Sequence, residues 1–187
     1  MTAETTDPTT GQTARDAARD AAWDAAWDAA ATVNDPEIPV LSIVDLGILR
    51  DVTVEDSAVT VTITPTYSGC PAMSQITADV TTALRHAGFD EVQVLTSLSP
   101  AWTTDWMTDE GKRKLEAYGI APPTHRTRPR GPVTLQLGVR TAGIPDVSCP
   151  HCGSHHTREL TRFSSTSCKA LYICNDCHEP FDYFKVH

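Results

Sequence analysis

No stretch of the 187-residue chain approaches the roughly 18 consecutive apolar residues that a membrane span needs. Its start, MTAETTDPTTGQT, also lacks the basic residues and apolar stretch of a secretory signal. Both absences lead us to expect a cytoplasmic chain without a membrane partner. Basic charge is scarce at the front. Residues 1–64 hold 12 acidic and 3 basic side chains, whereas residues 65–187 hold 12 of each. The whole net charge of −9 therefore sits in the first third, which argues against a nucleic-acid partner there. Cysteine is scarcer still: of six, only Cys70 lies in the first 148 residues, and the other five fall between 149 and 177. In a reducing compartment such a cluster, with two pairs that each enclose two residues, suggests metal ligands rather than disulfides.

What is present divides the chain into four parts. Residues 1–14 are rich in Thr, with a proline at position 8, and are expected to form a disordered tail. The four-residue repeat in RDAARDAAWDAAWDAAATV is dominated by alanine, the strongest helix former. It puts Arg15, Arg19, Trp23 and Trp27 on one stripe that can dock on the domain or on a partner. Pro36 restricts Asp35, so the helix should stop near Asn34. Apolar, β-branched 42–54 suits a strand, Glu55-Asp56-Ser57 a turn, and VTVTIT a half-buried strand with Val59, Val61 and Ile63 inward. After Cys70, Met73, Ile76, Val80, Leu84 and Ala87 keep helical spacing up to Gly88. Glu91–Leu98 reads as a third strand, able to pair in parallel because a helix intervenes. Thr108 with Asp109 and Glu110 opens another helix that ends near Gly119; Trp102 and Trp106 before it could cover a sheet edge or offer a contact surface.

The expected fold class is α/β (α+β): a small helix-strand-strand-helix-strand domain over 15–119 and a C-terminal zinc-ribbon β module over 145–187. A Pro/Arg-rich linker over 120–144 joins them, with VTLQLGV (133–139) a further short strand.

Cys149-Pro-His-Cys152 and Cys174-Asn-Asp-Cys177 are two tight turns separated by 21 residues. Four thiolates from such turns converge on one Zn²⁺, and a module this small needs such a staple. An iron–sulfur cluster also takes four thiolates and is the alternative. A filled tetrathiolate shell has no open position, which argues against catalytic zinc. Cys168 lies between the turns, either as a small packing residue or as an alternative ligand. Phe181, Tyr183 and Phe184 follow the second turn and are expected to pack around the metal hairpin. The module's charge is mixed, without the dense basic patch of a nucleic-acid reader.

Cys70 stands apart, in TPTYSGCPAM at the corner between a strand and a helix. It can be a buried small residue, a metal or cluster ligand, or a reactive thiol. Pro71 favours the first helical turn, so the thiol should face unpaired N–H groups that stabilise a thiolate. Gly69 permits a tight turn. Asp35 and Glu37 supply hard oxygen donors that either bind iron transiently or cap local backbone.

DPEIPVLSIVDLGI, VTVTITPTYSGCP and the helix after them resemble the iron–sulfur assembly domain family, which includes SufT-like proteins. SPAWTTDWMTDEGKRKLEAYGIAPP, CPHCGS and CKALYICNDCHEPFDYFKVH narrow the resemblance to the PaaD (PaaJ) family, accessory subunits of the bacterial phenylacetyl-CoA epoxidase system. The likeness spans about residues 20–187. It implies an assembly factor rather than an enzyme, one that matures or inserts the iron–sulfur and di-iron centres of oxygenase and reductase partner subunits. It also implies that Asp35, Glu37, Thr66 and Cys70 surround a transient iron or sulfur site. Tyr67 stands where many relatives carry a second threonine. A docking subunit that works through the ribbon is the alternative, and association with a second copy of the chain is left open.

Overall fold

The computed structural model describes residues 8–56, 58–124 and 146–186. The expectations for residues 1–7 and for the linker and strand within 125–145 lie outside them. The chain divides into two compact units, Met1–Ala101 and Trp102–His187.

The first unit opens with helix α1, Pro8–Ala31. It begins inside the stretch expected to be a disordered tail, because the helix of the alanine repeat extends back before Arg15 to Pro8, and Pro at a first helical position costs no hydrogen bond. Its buried face is carried by Ala26 and Ala30. The indole rings of Trp23 and Trp27 stack, with centroids 5.3 Å apart. Trp23 Nε1 donates to the backbone oxygen of Val52 at 2.8 Å. Trp23 therefore ties the helix to the backbone of Val52 while itself remaining exposed.

Strand β1 runs Leu49–Glu55, β2 Ala58–Ile63 and β3 Glu91–Thr96. Helix α2, Ala72–His86, connects the last two. The sheet order is β1-β2-β3, with β2 antiparallel to β1 and parallel to β3. Val59, Val61 and Ile63 point inward as their alternation requires. From α2 come Ala72, Ile76, Val80 and Leu84, a stripe with a spacing of four. Met73 is only half-buried and Ala87 is exposed, contrary to the wider stripe expected.

Residues 42–48 correct the expected strand. Ser42 makes an isolated antiparallel bridge with Asn34, and 43–47 form consecutive turns rather than extended chain. Leu41, Ile43, Leu46 and Ile48 are buried, but Ser42 N and Oγ both donate to Asp45 Oδ2 at 3.0 Å, and Gly47 has φ +67°. A left-handed glycine and a local Ser–Asp lock bend the segment before the strand starts.

The second unit contains a short 3₁₀ turn (Thr104–Trp106), α3 (Asp109–Ala117), β4 (Ile120–Ala121), β5 (Thr157–Thr161), β6 (Lys169–Cys174) and β7 (Pro180–Phe184). Thr108 caps α3 by accepting from Gly111 N at 2.9 Å. The sheet order is β4-β7-β6-β5. β4 pairs in parallel with β7, and Thr124 Oγ1 lies 3.2 Å from Tyr183 Oη. Trp102 is buried with its ring edge-on to Phe184, centroids 6.2 Å apart. Residues 102–119 thus belong with the ribbon, whereas the sequence suggested that the first domain ran to 119. The backbone groups of β4 find their partners in a strand about sixty residues away, and that decides the division. Tyr172, Phe181 and Tyr183 close a core that includes Cys149 and Cys174. The aromatic tail therefore packs around the cysteine hairpin, as expected.

Candidate metal centres

The ribbon brings its four paired cysteines together. Cys149 Sγ lies 3.8 Å from Cys177 Sγ, and Cys152 Sγ lies 3.6 Å from Cys174 Sγ. All four sulfurs fall within 4.8 Å of one another. A regular tetrahedron with metal–sulfur bonds of ~2.3 Å has edges of about 3.8 Å, so the donor set fits a single tetrahedral ion.

Backbone hydrogen bonds close each turn. Gly153 N donates to Cys149 O at 2.8 Å and His178 N to Cys174 O at 3.1 Å. Gly153, at φ +74°, and His178, at φ +63°, supply the left-handed step that ends each turn. The Cys174 thiol is pulled down to about 6, first by the Cys177 amide N–H and then by that of Asp176, together with hydrogen bonds from neighbouring thiols. The N–H groups of the second turn thus favour the thiolate form of Cys174, against the opposing effect of burial. Cys168 is not part of this set. It is buried next to the start of β6, with its sulfur 3.0 Å from Thr166 Oγ1.

The other candidate residues lie on the 35–38 turn and on the stretch from β2 to the start of α2. Thr64 and Thr66 are buried after β2, and Gly69 adopts φ +92°. That conformation is the reason for glycine here, since a Cβ would meet no atom within 4 Å. Cys70 N donates to Tyr67 O at 3.2 Å, and Met73 N to Cys70 O at 3.3 Å, which leaves the half-buried thiol at the helix entrance. Asp35 is buried, and its Oδ1 accepts from Glu37 N at 2.8 Å and Ile38 N at 2.9 Å. It thus shapes the 35–38 turn and, with Glu37, places carboxylates within electrostatic reach of Cys70.

The thiol itself departs from expectation. Burial pushes its pKa above the ordinary cysteine value. The Ala72 N–H at the helix entrance opposes this, the Glu37 and Asp35 carboxylates add to the rise, and the Tyr67 side chain pulls back through a hydrogen bond. Desolvation and like charge outweigh the helix end, so Cys70 is a neutral thiol at pH 7. Its alkylation by iodoacetamide in metal-free protein is expected to be slower at pH 8 than that of a free cysteine. The midpoint of the rate should lie above the ordinary thiol value and move down in Glu37→Gln. A midpoint at or below the ordinary value contradicts the assignment. Tyr67 is a contributor that sequence reasoning registered only as a departure from the family pattern.

Comparison with known proteins connects both sites. A family profile described as "iron-sulfur cluster assembly protein" matches residues 23–96, and one described as "PaaD zinc beta ribbon domain" matches residues 138–185. A protein of Escherichia coli strain K12, provisionally named as a subunit of 1,2-phenylacetyl-CoA epoxidase, is 47% identical over 154 residues, covering 82% of this chain and 86% of that protein. The chain belongs to the PaaD family. Within this PaaD-family chain, the first unit is also similar to shorter proteins. A "Fe-S protein maturation auxiliary factor" of Porphyromonas gingivalis is 40% identical over 45% of this chain and 81% of that protein. SufT of Staphylococcus aureus, given the same description, is 39% identical over 43% of this chain and 92% of that protein. The crystal structure of a "domain of unknown function DUF59" from Bacillus anthracis aligns with 52% of this chain and 94% of that chain, at 30% identity and a TM-score of 0.49. No described helix of the PaaD-family chain is long and apolar enough to cross a membrane.

Proposed function

We propose that this chain is a non-catalytic accessory subunit of a phenylacetyl-CoA epoxidase system that loads iron or iron–sulfur centres into its oxygenase and reductase subunits. Cys70, Asp35, Glu37 and Thr66 are the transient site. What supports the reading is that the Glu37 and Asp35 carboxylates act electrostatically on the half-buried Cys70 thiol at the entrance of α2, inside the stretch matched as an iron–sulfur assembly protein. The names of the relatives support the system and the type of activity.

The chemistry is that of a carrier. A soft thiolate and hard carboxylates together suit ferrous iron, and a single thiolate leaves coordination positions for a second protein's ligands. The carboxylates that add to the effect of burial on the thiol also attract a cation. Once a cation is bound, its charge stabilises the thiolate. Such a site binds on approach of iron and releases when protons or a stronger donor set compete.

The ribbon has the opposite character. Cys149, Cys152, Cys174 and Cys177 would hold Zn²⁺ in a closed shell, as a staple for a small unit. An iron–sulfur cluster on the same thiolates is the alternative and would show as visible absorbance. A second reading, a docking subunit acting through the ribbon, draws on Leu160 and Phe163, which are exposed on the β5–β6 hairpin.

Anaerobic titration of zinc-loaded protein with ferrous iron tests the carrier. Wild type is expected to take up about one further ion per chain with thiolate-to-iron charge-transfer bands, and Cys70→Ser to lose both. Equal uptake by the two proteins rejects the site.

A further inference from the structure

The two cysteine turns are bridged by side chains that are not ligands. Asp176 lies inside the second turn, between Cys174 and Cys177, and Ser154 and His156 lie just beyond the first. Ser154 Oγ donates to Asp176 Oδ2, and His156 Nδ1 lies 3.1 Å from Asp176 Oδ1. His156 N donates to Ser154 Oγ at 3.0 Å. Asn175 N donates to His156 O at 2.8 Å. Both oxygens of one carboxylate are thus engaged by the opposite turn, and the Ser154 hydroxyl is fixed by a backbone amide.

We infer that Asp176 is a positioning residue for the metal: a latch, held by Ser154 and His156, that keeps the two pairs of thiolates in register. The inference rests on the reading of the four thiols as a metal site. Each turn is closed by its own backbone bonds, so neither fixes the distance to the other pair. That distance comes from the β5–β6 register, which aligns Thr157 with Cys174, from the Asn175–His156 backbone bond, and from the Asp176 contacts at the tip. A carboxylate beside four thiolates is repelled by them and would swing outward unless held. Its two donors offset that repulsion. A second exposed carboxylate–imidazole pair among the described residues, Asp146 with His155, makes a 2.9 Å contact without involving the second turn. It serves as an internal control.

The test is the rate of zinc release from the full-length, zinc-loaded chain to a chromophoric chelator at neutral pH. Asp176→Ala and Ser154→Ala should each release zinc about three- to tenfold faster. The double variant should release no faster than Asp176→Ala alone, because both remove the same contact. Asp176→Asn should keep part of the effect, since its amide oxygen still accepts from Ser154. Asp146→Ala should match wild type. Unchanged rates in the single variants, a double-variant rate equal to the product of the two, or an equal acceleration in Asp146→Ala overturns the latch. A wild-type chain that takes up no zinc contradicts the metal reading itself, and the latch with it.

Discussion

Replacing Cys174 by serine is expected to abolish metal retention by the ribbon and to unfold most of the second unit. Cys174 is fully buried in the core formed by Tyr172, Phe181 and Tyr183, and hydrogen bonds from the turn hold its thiol well below the ordinary cysteine value. Serine removes a metal bond and leaves a hydroxyl in an apolar setting, so ligation and packing fail together. Apparent binding free energies for structural zinc sites are about 10–16 kcal/mol, more than a unit of this size retains without metal. The β5–β6–β7 strands should then become protease-sensitive, while the first unit, with its own sheet and core, keeps its circular dichroism and unfolding midpoint. Chelation of the wild-type metal should reproduce the effect reversibly. Cys168→Ser is expected to retain the metal, because Cys168 lies outside the cluster. A Cys174→Ser chain that still holds one tightly bound metal ion contradicts the assignment.

The ribbon site was legible because its information is local. Two CxxC turns mark four candidate ligands without reference to the rest of the chain, and the structure brings their sulfurs together. Helix α1 was legible for a similar reason, since alanine and a four-residue repeat dictate conformation over any short window. Elements fixed by distant partners were not. The two-residue strand β4 exists only because β7 receives it, so the boundary at 101/102 had no signature in 102–119. Residues 42–48 misled in a different way. Their apolar pattern is that of a buried strand, but the Ser42–Asp45 lock and the left-handed Gly47 turn them into a buried loop. The Asp176 latch was invisible for want of any spacing rule that links a serine and a histidine to an aspartate about twenty residues on.

Cys70 shows the contrast most clearly. Its place at the helix entrance was readable, and helix-end physics alone suggested a thiolate. Burial and the Glu37 and Asp35 carboxylates reverse that sign, and neither contribution is visible until the fold brings residues 35 and 37 to residue 70. The reversal suits a carrier better than the original expectation, because a neutral thiol resists adventitious oxidation until a cation arrives.

Cys70→Ser is accordingly expected to have a large effect on the partners and a small one on the chain itself. The thiol is only half-buried at the mouth of α2, and serine preserves the backbone contacts of Cys70 N and O. Stability should change by less than about 1 kcal/mol, and the ribbon's metal content should not change. Delivery of iron should fail, because the carboxylates alone bind ferrous iron weakly and without the soft donor. The most direct measurement is the iron content of the epoxidase oxygenase and reductase subunits co-expressed with either form of the chain under iron limitation. The account predicts near-full occupancy with wild type and at least an approximately tenfold loss with Cys70→Ser. Full occupancy with a folded, zinc-loaded Cys70→Ser chain would contradict it.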